Sequence, residues 1–384
     1  MSKTDFDLIV AGAGIVGIST ALWAQKEGLK TLICDPAPPG SGTTYGSACT
    51  IATYACIPVN SPTIFSALPH LLTSKDSPLS FNLAHGLKNP RWMLSFLNNC
   101  RPSRVKHVTQ ALGGFLRHAD SGLDPLIAEA EAQDLIVSND CLYVWSSRSG
   151  FENAATSNAM RAEQGVEFDE LGPYDIRSLE PNLQQAMHRG LRFKGARHIT
   201  NPQELVHRMQ LRFEALGGTY LPQKIDRTKA DDTGVTAYLG DGTQIRGKHL
   251  AITAGAHSGL IKGSGAEHLP LGTERGYHIL YRNHGASISR PVGWAEAGFY
   301  ATPIAEGLRI AGTVEINAVE APFNTNRTEY LRRKSHEMFG DIGPPDATWL
   351  GYRPTLPDAL PVIGYSPQSR RIIFAFGHQH IGLT

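Results

Sequence analysis

The chain has 384 residues, with 36 basic and 35 acidic side chains for a formal charge of +1. That length exceeds what one hydrophobic core supports, so two interleaved domains are expected; the near-neutral balance gives no electrostatic basis for binding nucleic acid. Five cysteines (Cys34, Cys49, Cys56, Cys100 and Cys141) are odd in number and lack CxxC spacing, which fits free thiols in a reducing compartment rather than a disulfide framework or a zinc site.

The N-terminal MSKTDFD is polar, and the apolar run after it is broken by glycines, so neither a signal peptide nor a membrane span is expected and a cytoplasmic location follows. Asp7–Ala11 is a short apolar run that reads as a buried parallel strand. A helix is expected from Ile15 to Lys26, with Gly28 ending it, and a second strand over Leu29–Cys34. From Pro36 to Ser80 the chain is rich in Pro, Gly, Ser and Thr without sustained period, the signature of an excursion that lines a site or lies over a cofactor. Helices are expected at Pro90–Asn99, Arg104–His118, Gly122–Gln133 and Asn153–Gln164, and strands at Cys141–Trp145 and Leu191–Phe193. Pro202 opens another helix, which ends at Gly217-Gly218. Asp241-Gly242 marks a hairpin turn, and His249–Thr253 is a strand running into Ala254-Gly255. Later strands are expected near Tyr277–Tyr281, Gly298–Thr302, Leu308–Thr313 and Ile372–Ala375.

Gly12-Ala13-Gly14-Ile15-Val16-Gly17 matches GxGxxG between the first strand and the first helix. Gly12 permits the tight turn, Gly14 lets a pyrophosphate approach the backbone, and Gly17 lets helix and strand pack closely. The phosphates would lie at the helix N-terminus, where unpaired N–H groups and the macrodipole favour negative charge. Asp35, twenty-one residues after Gly14, stands where an acid accepts a hydrogen bond from a ribose hydroxyl. An acid there argues against the 2′-phosphate of NADP. The later strand ending at Ala254-Gly255 resembles the one that closes over the adenosine end of FAD in flavoproteins with two dinucleotide-type segments, and it favours FAD over NAD.

Several further segments resemble the D-amino-acid oxidase superfamily of FAD-dependent oxidoreductases, and most of all its D-amino-acid dehydrogenase branch. They are Ser41–Ala52, Ala67–Ser80, Pro90–Cys100, Thr273–Ile279, Gly351–Gly364 and Phe376–Thr384. The RP-x-x-x-D-x-x-P-x-x-G pattern from Arg353 to Gly364 is the most diagnostic of them. The resemblance implies an α/β fold, α+β in its second part: a Rossmann-like FAD-binding domain interleaved with a substrate domain on a mixed β-sheet. It implies an FAD-binding domain over 1–85 with about 140–225, 240–262 and 345–384. The substrate domain takes about 86–139 and 263–344.

The resemblance also implies site roles. Thr43, Thr44 and Ser47 wrap the pyrophosphate and flavin edge, although the dehydrogenase branch commonly has Asn at position 47 and Gly at 49, where this chain has Ser47 and Cys49. Arg353 grips the substrate carboxylate through two parallel hydrogen bonds; its alternative is a structural ion pair with an acid such as Asp358. His378, with Gly377 and Gln379, crosses near the flavin ring, where backbone N–H groups stabilise the reduced cofactor. Neither His378 nor His380 is assigned acid–base work. Tyr277 sits on a strand whose family counterparts face the substrate, with Arg275 as a second cation near Arg353. Tyr45, Tyr54, Tyr300 and Tyr352 are wall residues or core.

The implied reaction is oxidative deamination of a D-amino acid, or of a cyclic secondary amino acid such as D-proline or hydroxy-D-proline, by hydride transfer from Cα to flavin N5, a step of amino-acid catabolism. Electrons then pass to a quinone-type acceptor or an electron-transfer partner; the apolar stretch Phe65–Phe96 reads as an ordinary buried helix, its alternative being a peripheral contact on the inner face of the cytoplasmic membrane. The other readings are an oxygen-using amine or amino-acid oxidase, an FAD-holding subunit of a hetero-oligomeric dehydrogenase, and an NAD-linked dehydrogenase. The family continues into a further helix beyond GHQHIGLT, so a truncated C-terminus, or one lacking that cover over the flavin, is expected.

Overall fold

The computed structural model describes residues 5–60, 62 and 77–384. Two large sheets and one small one organise these residues. The first contains β1 (Phe6–Ala11), β2 (Thr31–Cys34), β10 (Thr219–Leu221), β11 (Ile225–Asp231), β12 (Gly234–Leu239), β13 (Gln244–Ile252), β19 (Val362–Ser366) and β20 (Ser369–Phe376). Its order is β10-β2-β1-β13-β12-β11, and β20 pairs with the C-terminal half of β13. The strands β10, β2, β1, β13 and β20 are mutually parallel, the core of a doubly wound dinucleotide fold. Helix α1 (Ile15–Lys26) turns Ile15, Ile18, Ala21 and Leu22 inward at helical spacing. They pack with Leu205, Val206, Met209 and Phe213 of helix Pro202–Ala215 and with Val10 and Ile33 of the sheet.

The second sheet holds nine strands: β4 (Leu79–Phe81), β6 (Cys141–Trp145), β7 (Phe168–Leu171), β8 (Arg189–Phe193), β14 (Gly272–Tyr281), β15 (Val292–Trp294), β16 (Phe299–Ile304), β17 (Gly307–Ile316) and β18 (Ala347–Thr355). Its order is β18-β14-β17-β16-β15-β6-β8-β7, with β4 added beside β17. Most pairings are antiparallel, whereas β6–β15 and β4–β17 are parallel, so the sheet is mixed. Helix Thr325–Phe339 covers one face through Tyr330, Leu331, Met338 and Phe339, packed on Tyr277, Ile279 and Tyr281. The small sheet joins β3 (Thr50–Ile51), β9 (Arg197–Ile199) and β5 (Ile136–Ser138).

Membership departs from the expected domain limits in several places, each decided by pairing or packing, β4 beside β17 among them. The strands β6, β7 and β8, expected with the cofactor domain, pair into the second sheet through β6 and β15. So does β18, through β14. Helix Ala119–Glu129, expected with the substrate domain, instead sends Leu123, Leu126 and Ile127 into the core beneath α1. The helix expected over Asn153–Gln164 runs from Ala155 to Glu163, and a separate short helix, Arg148–Asn153, precedes it. Residues 67–76 of the Ala67–Ser80 segment, and most of the N-terminal half of Phe65–Phe96, lie outside the described residues. Among the described residues no helix is long and apolar enough to cross a membrane.

Candidate active site

A cavity of about 900 Å³ runs from the glycine-rich turn after β1 to the face of the second sheet opposite helix Thr325–Phe339. Its size lies near the top of the ~300–1,000 Å³ typical of small-molecule and cofactor sites. At one end stand Gly12, Gly14, Ile15, Val16, Asp35, Ala254 and Gly255. Gly12 has φ +112°, and a Cβ there would lie 2.7 Å from the Thr253 carbonyl. A Cβ on Gly17 would lie 1.9 Å from the Gly12 carbonyl oxygen, so Gly17 serves the packing of α1 on β1 and does not line the cavity. Gly14 differs: a Cβ there meets the Thr44 Oγ1 at 3.6 Å and otherwise points into open space.

No side chain caps α1, whose N-cap is Gly14. Its start, at Gly14, Ile15 and Val16, lies on the cavity wall, and the Ile15 N–H donates to Thr44 Oγ1 at 3.1 Å. Asp35 is held by the N–H groups of Ala13 (2.7 Å) and Ala37 (2.8 Å), one on each carboxylate oxygen. Each oxygen keeps acceptor capacity for a ribose hydroxyl. An uncapped helix start, an open glycine and an anchored acid on one long cavity fit FAD.

The loop from Thr43 to Ala48 crosses the middle of the cavity and is fixed from beneath by the second sheet. Thr43 Oγ1 donates to the Tyr352 carbonyl (3.0 Å), Thr302 Oγ1 donates to the Ala48 carbonyl (2.9 Å), and His278 Nδ1 lies 3.3 Å from the Gly46 carbonyl. Arg309, buried on β17, donates to the carbonyls of Tyr45 and Ser47 and packs its guanidinium 5.0 Å from the Tyr45 ring centre. Thr43, Thr44 and Ser47 all line the cavity, and the Ser47 hydroxyl accepts from the Cys49 N–H at 3.3 Å. Cys49 itself is wholly buried at φ +62° and lies off the cavity wall.

At the far end, β14 and β18 pair Glu274 opposite Arg353 and Gly276 opposite Gly351. The Arg353 guanidinium lies over Gly276, where a Cβ would come within 2.6 Å of Cζ. Its Nη1 donates to the Thr313 carbonyl at 3.1 Å. Thr313 is in the left-handed region (φ +57°), at the register shift where β17 bulges against β14. Cys49 and Gln379 (φ +49°) are two more non-glycine residues of this kind beside the cavity, and such strain gathers at functional sites. Asp358, the candidate structural partner of Arg353, is exposed and accepts from the Leu360 N–H at 3.2 Å instead. Burial pushes the Arg353 guanidinium down from its usual range, and Glu274 opposes that.

Tyr277 is not in this site. Side chains alternate along a strand, so Glu274 and Gly276 face the cavity while Arg275 and Tyr277 face helix Thr325–Phe339. Tyr277 donates its hydroxyl to Glu315 Oε2 (2.5 Å), and Arg275 pairs with the same carboxylate at 3.2 Å. Arg275 also donates to the carbonyls of Ala321 and Pro322. Neither residue lines the cavity.

His378, Gln379 and His380 do line it, and Gly377 stands behind them at φ +85°. Burial pushes both imidazoles down to about 4, His380 further under the charge of Arg353, so both are neutral at pH 7. The Gln379 side chain is buried with both amide atoms unpartnered, and its backbone N–H donates to the Pro354 carbonyl at 3.1 Å.

Tyr54, Tyr300 and Tyr352 are on the wall, whereas Tyr45 is engaged by Arg309 and Trp349. Four positions in or beneath the candidate site were not picked out from the sequence: Glu274, Arg309, Tyr143 and Trp349. Tyr143 stacks on Tyr300 with ring centres 5.8 Å apart, and Trp349 stacks on His278 at 5.1 Å. The signal for Glu274 was local, a carboxyl two residues from glycine on each side within one strand.

This fold and cavity define a flavoprotein of the dinucleotide-binding class. The family model for FAD dependent oxidoreductases (DAO) matches residues 7–384, and the chain belongs to that family; FAD is its cofactor. It is similar to a D-amino-acid oxidase of Bradyrhizobium diazoefficiens, 31% identical over 98% of this chain and 91% of that protein. It is also similar to D-amino acid dehydrogenase 2 of Ralstonia nicotianae, 29% identical over 98% of this chain and 93% of that one. Among solved structures, glycine oxidase from Geobacillus kaustophilus shares the fold with a TM-score of 0.72 at 16% identity, covering 98% of this chain and 90% of its own.

Proposed function

We propose that the protein catalyses oxidative deamination of D-amino acids, cyclic imino acids such as D-proline or hydroxy-D-proline included, and passes the electrons to a quinone-type acceptor. The observation that carries this reading is Arg353. It is a guanidinium on the cavity wall with one donor on a backbone carbonyl and no acid in an ion pair with it among the described residues, so it is available for a substrate carboxylate. The names of the two relatives support a D-amino acid over an L-amino acid. Bound FAD supplies the acceptor for the hydride leaving Cα. This chain's part is to fix the carboxylate on Arg353, to hold the carbon skeleton against Tyr54, Tyr143 and Tyr300, and to keep neutral imidazoles rather than a titrating base beside it.

Leu87 and Leu94, 82% and 68% exposed on two successive helices that also carry Lys88 and Arg91, support a contact with the membrane that holds a quinone pool. An Arg353→Leu variant should keep its flavin absorption near 450 nm and lose turnover of a D-amino-acid panel. Unchanged kinetics would sink the carboxylate assignment. Rates with a soluble quinone analogue against oxygen uptake decide the acceptor, and faster oxygen uptake would replace the quinone reading with an oxidase.

A further inference from the structure

Glu274 is buried completely, lines the cavity, and leaves both carboxylate oxygens without a hydrogen-bond partner. The Thr355 hydroxyl, opposite Gly272 on β18, approaches it but turns to the Arg353 carbonyl at 3.3 Å. A buried carboxyl with no donor costs several kcal/mol by order of magnitude unless something supplies one. Arg353 does not supply it: the guanidinium reaches past Glu274 to lie over Gly276, about 7 Å of strand further along, and the two form no ion pair among the described residues. On the other side, the indole of Trp92 lies over Gly272, where a Cβ would be 2.7 Å from Nε1, and that N–H is also buried and unpartnered. Glycines on either side of Glu274 thus make room for a donor-bearing ring and a cation, and leave the carboxyl standing between them.

We infer that Glu274 is the amine-recognition group of the substrate site, so that Arg353 and Glu274 take the two opposite charges of one amino-acid zwitterion. This rests on the assignment of Arg353 to the substrate carboxylate. The substrate's ammonium brings the donors that Glu274 lacks, and it brings them into a low-dielectric cavity where a charge-assisted hydrogen bond counts most. Burial pushes the Glu274 carboxyl up, while the charge of Arg353 and the nearby Thr355 hydroxyl pull it back. An arriving cation adds to that downward pull. A ligand with a carboxylate but no nitrogen would satisfy Arg353 and leave Glu274 as it was.

The test compares amino acids with their nitrogen-free counterparts on flavin-loaded enzyme: D-alanine with propionate, and D-proline with cyclopentanecarboxylate. Glu274→Gln should raise KM for the amino acids about 10- to 150-fold, the equivalent of one charge-assisted hydrogen bond. It should leave the Kd of the plain carboxylates, read from the flavin spectrum, unchanged or tighter. Equal losses for both ligand classes would overturn the inference and make Glu274 a support for Arg353; no loss for either would overturn it too. Should the Gln variant fail to fold, Glu274→Asp keeps the charge on a shorter stem and should show the same selective loss in smaller degree. Arg353→Leu separates the two readings: it should abolish binding of the plain carboxylates. If it does not, the Arg353 assignment fails, and the inference falls with it.

Discussion

Replacing Gly14 by alanine should remove FAD from the protein without harming its fold. Gly14 has φ −71° and ψ 178°, a conformation any residue adopts, and the added methyl would meet only the Thr44 hydroxyl at 3.6 Å. The apoprotein should therefore keep its stability or gain about 0.4–1 kcal/mol from a less flexible unfolded chain. The same methyl points into the cavity at the uncapped start of α1, where a pyrophosphate must touch the backbone. Losing one charge-assisted hydrogen bond there costs about 1.5–3 kcal/mol, a rise of about 10- to 150-fold in the Kd for FAD. Gly17→Ala is the contrast: its methyl would lie 1.9 Å from the Gly12 carbonyl oxygen and 2.8 Å from Thr253 Oγ1. Backbone cannot move aside cheaply, so that variant should lose about 1–3 kcal/mol even without cofactor. Thermal melts of both apoproteins, with FAD titrated by fluorescence quenching, read the two effects separately. A Gly14→Ala protein that binds FAD like the wild type, or whose apo form melts well below it, would refute the reasoning.

Tyr277→Phe should leave kcat/KM for D-amino acids unchanged while destabilising the fold by about 1–3 kcal/mol, because the Glu315 carboxylate loses a buried donor; a raised KM at unchanged melting temperature would put Tyr277 back in the site. Burial pushes His198 down to about 4 in the folded protein, below the ~6.5 of an unfolded chain. The unfolded chain then binds more protons as pH falls, so this contribution to stability is intact above about pH 6.5 and is lost towards about pH 4, at up to about 1.4 kcal/mol per pH unit. Urea melts at about pH 7, 6 and 5 should show that slope together with the like contributions of His378 and His380, and His198→Gln should remove its own share; an unaltered slope would mean His198 is not among the groups responsible. Leu87→Asp with Leu94→Asp should reduce co-sedimentation with anionic vesicles and spare soluble-dye activity, and equal sedimentation of both proteins counts against the membrane face.

Most residues expected to hold the cofactor line one cavity, because their placement is decided locally. The turn Gly12–Gly17, Asp35 at the end of β2 and the Ala254-Gly255 corner are fixed by a few neighbouring residues each, and the predicted bounds of α1 (Ile15–Lys26) match the structure. What long-range pairing decides was less legible. The apolar strand Cys141–Trp145 gives no sign that it pairs in parallel with Val292–Trp294 rather than joining the parallel strands around β1. Arg309 likewise reads as one more cation in a strand until the fold carries the loop from Thr43 to Ala48 over it.

The exchange of Tyr277 for Glu274 has a sharper cause. Every residue of β14 from Thr273 to Tyr281 is buried, since one face carries helix Thr325–Phe339 and the other carries the cavity. A strand covered on both faces has the period of two in its side-chain directions but not in its polarity, so its phase is hidden from the sequence. An aromatic residue then draws attention as a substrate wall, although here it answers a structural need: Tyr277 and Arg275 share the Glu315 carboxylate under the helix. The phase is recoverable from the glycines. Gly272 and Gly276 are the positions where the side chains of Trp92 and Arg353 come closer than any side chain would allow. The residue between them in that alternation, Glu274, must share their face. A carboxyl placed there with no partner marks the site more reliably than the tyrosine three positions on, and it is the reason the ammonium of a substrate belongs to Glu274.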